Sequence, residues 1–137
     1  MTQTSTQRGS AEAAAKAYFD AVHAESTAAI AKAFAEDAEV HFPAREPVIG
    51  RANVAAFYAD VFKFYVKRHD EITRWFHSAD GTVAAQIHFK GTTNTGRDVV
   101  FDAVDVFTVE SGLIKRLWIV YDSAKVLQML GGLPGKS

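Results

Sequence analysis

Apolar positions recur at helical spacing in the first half of the chain and at strand spacing in the second. From Ala11 to Ala24, Ala14, Tyr18, Ala21 and Val22 fall on one stripe of an Ala-rich segment, which predicts an amphipathic helix. Ser10 is placed to cap it. Ser26 or Thr27 is placed to cap a second helix running to Ala35, with Ile30, Ala33 and Phe34 turned inward. Glu39-Val40-His41-Phe42 alternates briefly before Pro43 ends the run. Helical spacing resumes over Gly50 to Phe64, through Val54, Phe57, Tyr58, Val61 and Phe62.

The period then changes. Asp70 to Ser78, Thr82 to Thr92, Arg97 to Val109 and Leu113 to Tyr121 read as four long strands. Short turn signals join them: Asp80-Gly81, Asn94-Thr95-Gly96 and Glu110-Ser111-Gly112. Strands joined so tightly must run antiparallel. Asp122 or Ser123 can cap a last short helix that ends before Gly131-Gly132. The pattern predicts one α+β domain over residues 11–130. Its antiparallel sheet curves round three N-terminal helices, with polar, loosely held tails at 1–10 and 131–137.

The strand from Arg97 to Val109 is apolar on both faces. Phe101, Ala103, Phe107 and Val109 share one side with Asp105; Val100, Val104, Val106 and Thr108 share the other with Asp102. An antiparallel strand with one wet face would alternate with polar residues. A second copy of the chain is the simplest cover for the outer face, so a homodimer through the sheet is expected.

Composition narrows the partners. A chain of 137 residues with 48% hydrophobic residues suits one globular domain. A net charge of -1 gives no reason to expect nucleic acid or an anionic membrane. There is no cysteine, no membrane-length apolar run and no apolar leader, so a cytoplasmic location is expected. No Gly-rich phosphate loop, nucleophile elbow or His-Glu-x-x-His occurs. His41, His69 and His77 have no partner at metal-ligand spacing, and His23 faces off its helix stripe. Neither a cofactor nor a metal is indicated.

Asp105 is the candidate for chemistry. A carboxylate within an apolar strand is costly to bury unless it is paired, hydrogen-bonded or protonated. It is either a functional acid in a cavity or a satisfied structural acid.

Several segments carry a resemblance: Ala17-Tyr18-Phe19-Asp20-Ala21-Val22, Ala35-Glu36-Asp37-Ala38-Glu39-Val40, Gly50-Arg51-Ala52, Asp105-Val106-Phe107, Ser111-Gly112-Leu113-Ile114 and Tyr121-Asp122. In this order they resemble the nuclear transport factor 2-like superfamily, in particular its ketosteroid isomerase and SnoaL-like polyketide cyclase branches. The resemblance implies a cone enclosing a mostly apolar pocket. In the isomerases a helix Tyr and a protonated strand Asp form an oxyanion hole; Tyr18 and Asp105 stand at those positions. The isomerase base slot holds Phe42, and the cyclase acid/base slot on the last strand holds Ile119. Both known bases are therefore absent.

A substitute base comes from pairing the neighbouring strand. Centring the hairpin on Asn94-Thr95 sets Ala84 opposite Asp105, Gln86 opposite Ala103 and His88 opposite Phe101. Gln86 and His88 then share the Asp105 face, Gln86 as orienting group and His88 as candidate base. His88 is otherwise a rim or core histidine. Phe42, Phe57, Phe101, Phe107, Leu117, Ile119 and Tyr121 line the pocket or form plain core. The resulting expectation is a cofactor-independent protein that binds a small, mainly apolar, carbonyl-bearing molecule and isomerises or cyclises it. The rival is a non-catalytic binder or scaffold of the same fold.

Overall fold

The computed structural model describes residues 5–131. Ten elements follow one another: α1 (Ser5–His23), α2 (Thr27–Ala33), β1 (Phe34–His41), β2 (Val48–Ile49), α3 (Arg51–Phe64), β3 (Tyr65–His77), β4 (Val83–Thr93), β5 (Asp98–Glu110), β6 (Leu113–Val120) and α4 (Ser123–Met129). The six strands form one curved, unclosed sheet in the order β2-β1-β6-β5-β4-β3. Every pairing is antiparallel except β1 with β6. Helices α1, α2 and α3 pack against the sheet, as the α+β cone requires. Tyr18, Phe19, Ile30, Phe34, Phe107 and Leu117 are buried in the core between them.

Two helix starts agree with the expected capping chemistry. Ser26 accepts a hydrogen bond from the Ala29 N–H, and Asp122 accepts one from the Lys125 N–H. Ser10 does not cap α1, because the helix already begins at Ser5. The expected tails fall at 1–4 and 132–137 outside the described residues, so only 5–10 and Gly131 are placed. Helix α2 stops at Ala33, since Phe34 is extended (φ -107°, ψ 146°) and opens β1. Strand β3 begins at Tyr65, ahead of the expected Asp70. Two irregularities, at Tyr65/Lys67 and Ile72/Arg74, interrupt its pairing with β4, and such bulges sharpen the bend of a sheet.

The β4–β5 turn decides what faces the interior. Its loop has three residues, Asn94 to Gly96, closed by the Thr93 N–H on the Arg97 carbonyl at 2.8 Å and the Gly96 N–H on the Thr93 carbonyl at 2.9 Å. Gly96 takes φ 86°, the left-handed position that three-residue hairpin loops give to glycine. The register is Ala85 opposite Asp105, Gln86 opposite Val104 and His88 opposite Asp102. It differs by one residue from a two-residue centre on Asn94-Thr95, and a one-residue slip reverses every side chain. Gln86 and His88 therefore stand on the outer face, and Ala85, Ile87 and Phe89 stand inside.

Among the described residues, no helix is long and apolar enough to cross a membrane.

Candidate functional site

A cavity of about 170 Å³ lies inside the cone. Each wall comes from a different element. Tyr18 descends from α1; Phe57, Tyr58 and Val61 come from α3; Ile87 and Phe89 from β4; Phe101, Ala103 and Asp105 from β5. Ile119 on β6, with Phe42 and Tyr121 just beyond β1 and β6, completes the apolar side. Tyr65, Arg68 and Asp70 of β3 supply the remaining wall. Gly91 makes room there: a Cβ on it would lie 2.8 Å from the Phe89 ring and 2.9 Å from Tyr65.

Asp105 is 4% exposed, and its Oδ1 is buried without a hydrogen-bond partner. Burial pushes its carboxyl well above the usual carboxylate range. The nearby Asp70 carboxylate pushes the same way, and the Arg68 guanidinium opposes them. The group thus favours its protonated form, with an O–H to donate, and its Oδ1 has no partner among the described residues. Tyr18 is not its partner. Instead the Tyr18 and Tyr58 hydroxyls bond each other at 2.6 Å. Burial raises both phenols, so both keep their protons. Whichever of the two donates, one O–H remains for the cavity.

Arg68 and Asp70 form the charged corner. One residue apart on an extended strand, they share a face. Arg68 Nη2 lies 3.2 Å from Asp70 Oδ2, with the side chains only 10% and 11% exposed. The guanidinium carbon sits 5.4 Å from the Phe89 ring centroid. Arg68 Nε and Nη1 are buried with no partner among the described residues. His23 supports the corner from α1, its Nε2 accepting from the Asp70 N–H at 3.3 Å and its ring stacked on His69. It is thus engaged although it faces off its helix stripe.

The profile of the SnoaL-like domain family matches residues 15–117. The chain belongs to that family. Solved SnoaL-like and related folds superpose on this chain. A candidate polyketide cyclase from Xanthomonas campestris gives a TM-score of 0.82 at 22% identity, over 90% of this chain and 98% of that one. An LEH-like epoxide hydrolase from M. tuberculosis gives 0.77 at 17% identity over 89% and 90%. A hypothetical protein with a ketosteroid isomerase-like fold from Catenulispora acidiphila, in complex with trimethylamine, gives 0.78 at 17% identity over 90% and 96%. At these identities the likeness shows the fold alone. Among curated proteins, nothing matches the sequence.

Of the residues expected at the site, Tyr18, Phe42, Phe57, Phe101, Asp105, Ile119 and Tyr121 line this cavity. Phe107 and Leu117 are not part of its lining; both are packed in the core. Gln86 is exposed outside the cone. His88 Nδ1 lies 2.8 Å from Asp102 Oδ1, also on the outer face, so His88 cannot act on a ligand in the cavity. Sequence reasoning missed Tyr58, Tyr65, Arg68 and Asp70. The signal was the spacing of Arg68-x-Asp70, which puts opposite charges side by side on one face of any strand that contains them.

Proposed function

We propose that this SnoaL-like protein binds a small, mainly apolar, carbonyl-bearing molecule in the cone and moves a proton next to that carbonyl. The observation that carries the reading is Asp105, a buried acid that favours its proton, lines the cavity and has no partner for Oδ1 among the described residues. Its O–H donates to the ligand's carbonyl oxygen, and the spare hydroxyl of the Tyr18–Tyr58 pair offers a second donor. When a C–H bond beside the carbonyl breaks, its electron pair moves onto that oxygen, where these donors stabilise the charge. One pre-organised donor of this kind is worth ~2.7–4 kcal/mol. Asp70, held beside Arg68 at the cavity wall, replaces His88 as acceptor of the proton. Returning the proton to another carbon gives isomerisation; attack of the enolate carbon on a second carbonyl gives cyclisation.

The contrasting settings of the two cavity acids favour a second reading. Asp105 is buried and holds its proton, whereas Asp70 is ion-paired with Arg68. Two carboxyls in such different environments divide into acid and base. In this reading Asp105 protonates the oxygen of an epoxide while Asp70 takes a proton from water; the water oxygen attacks carbon, the ring C–O bond breaks, and a diol leaves.

The test follows α-carbon deuterium exchange of small cyclic ketones in D2O by NMR, alongside titration with phenols as oxyanion mimics. Wild type should exchange the ketone and bind phenol, and Asp105→Asn and Tyr18→Phe should weaken both. Flat phenol affinity across the three proteins refutes the oxyanion site. Binding without exchange reduces the protein to the non-catalytic binder, and diol formation from small epoxides selects the second reading.

A homodimer through the outer sheet face is also proposed. Val104, Trp118 and Val120 are exposed there on the neighbouring strands β5 and β6, with Val100 beyond Asp102 on the same face, and apolar residues grouped on one face call for cover.

A further inference from the structure

The proposed proton transfer leaves two nitrogens of Arg68 unused. Nη2 is engaged by Asp70, whereas Nε and Nη1 are buried and have no acceptor among the described residues. Donors on a buried cation are almost always satisfied, by the chain, by water or by a ligand. Among the described residues, the cavity wall has no further acceptor of suitable charge. Its acids are Asp70, already engaged, and Asp105, which favours its proton. Asp70 meets only one nitrogen of Arg68, so the remaining donors ask for an oxygen from outside the chain, and a charged acceptor makes the stronger hydrogen bond to a guanidinium.

Size and shape limit the rest of the molecule. A dry cavity of about 150 Å³ accepts benzene, and this one is about 170 Å³ with walls of Phe and Tyr rings. Its polar atoms sit on separate strands: Arg68 on β3 and Asp105 on β5, with β4 between them. One ring between two oxygen functions spans that arrangement.

We infer that the ligand is a one-ring carboxylate with a second oxygen, its carboxylate held at the Arg68 guanidinium through Nη1 and its carbonyl or hydroxyl oxygen at Asp105. This rests on the proposed function for the Asp105 half and is independent of it for the Arg68 half. It makes Arg68 a specificity residue: it selects acids over neutral analogues of the same size.

Calorimetric titration with benzoate, benzamide, phenol and 4-hydroxybenzoate tests it. Wild type should bind benzoate at least tenfold more tightly than benzamide, and 4-hydroxybenzoate more tightly than either benzoate or phenol. Arg68→Gln should erase the preference for benzoate over benzamide and leave phenol binding in place. Equal affinity of wild type for benzoate and benzamide overturns the inference, as does an undiminished preference in a folded Arg68→Gln protein. If that variant does not fold, the wild-type comparison decides alone. The two halves fail separately. A benzoate preference with phenol binding insensitive to Asp105→Asn overturns the oxyanion site only. Asp105-dependent phenol binding with no benzoate preference overturns the carboxylate site only.

Discussion

Replacing Asp105 by leucine, a side chain of similar outline, separates a functional acid from a structural one. In the folded chain the carboxyl is buried with Oδ1 unpartnered. A buried polar group left unsatisfied costs about 1–3 kcal/mol, and removing it altogether recovers that penalty. The new side chain would also face the cavity, so its extra volume has somewhere to go. Asp105→Leu should therefore be more stable than wild type at pH 7 by about 1–3 kcal/mol. For a chain of this size that is a rise in Tm of roughly 3–9 °C, at about 3 °C per kcal/mol.

The pH dependence gives the sharper signature. Burial raises the Asp105 pKa in the folded state, so the folded chain binds this proton more tightly than the unfolded chain. The contribution is fully present below the unfolded value, about 3.9. It is lost as pH rises from there through the folded value, at up to about 1.4 kcal/mol per pH unit. Wild type should lose stability relative to Asp105→Leu on going from pH 4 to pH 7, and the difference between the two proteins cancels the titrating groups they share. Urea unfolding at a series of pH values measures it. A variant less stable than wild type by more than about 2 kcal/mol, above the range of an ordinary hydrogen bond, with a difference independent of pH, would refute the reasoning and make Asp105 a satisfied structural acid.

Three further outcomes follow. Gly91→Val drives a side chain into the Phe89 and Tyr65 rings; it should lower stability by about 1–3 kcal/mol in thermal melts and weaken phenol binding as the rings are forced into the cavity. His88→Ala breaks only a half-exposed pair with Asp102, so it should change stability by less than about 1 kcal/mol and leave ketone exchange intact; a large loss of exchange would put His88 back in the site. Trp118→Lys, at a residue 46% exposed on the outer face, should sediment as a monomer where wild type sediments as a dimer at micromolar concentration; a monomeric wild type removes the dimer.

The helices and the four long strands were legible because their apolar periods are strong and their turns carry glycine. Other parts were hidden by composition. The segment Tyr65-Val66-Lys67-Arg68-His69-Asp70 is too polar to read as strand, yet it opens β3 and carries the charged corner. It is polar on one face because it meets solvent there, and polar on the other because Arg68 and Asp70 satisfy each other in charge. Phe34 looked helical because it continues the α2 stripe, but it begins a strand that pairs in parallel with β6, far along the chain at Ile114 to Trp118. Local spacing carries no information about that pairing.

The site turned on one residue in a loop. Asp105 and the apolar face around it follow from alternation within β5 alone, and alternation is robust. Which residues of β4 face Asp105 depends instead on the loop length, two residues or three, and Asn94-Thr95-Gly96 is compatible with both. The left-handed φ of Gly96 marks the three-residue form, which carries His88 outside and leaves Ala85, Ile87 and Phe89 within. Among the described residues the cavity wall therefore has no histidine, and its charged pair is the one that β3 brings. In the proposed reaction the proton acceptor is therefore Asp70, and Arg68, which pairs with that carboxylate, carries the unmet donors on which the anionic-ligand inference rests.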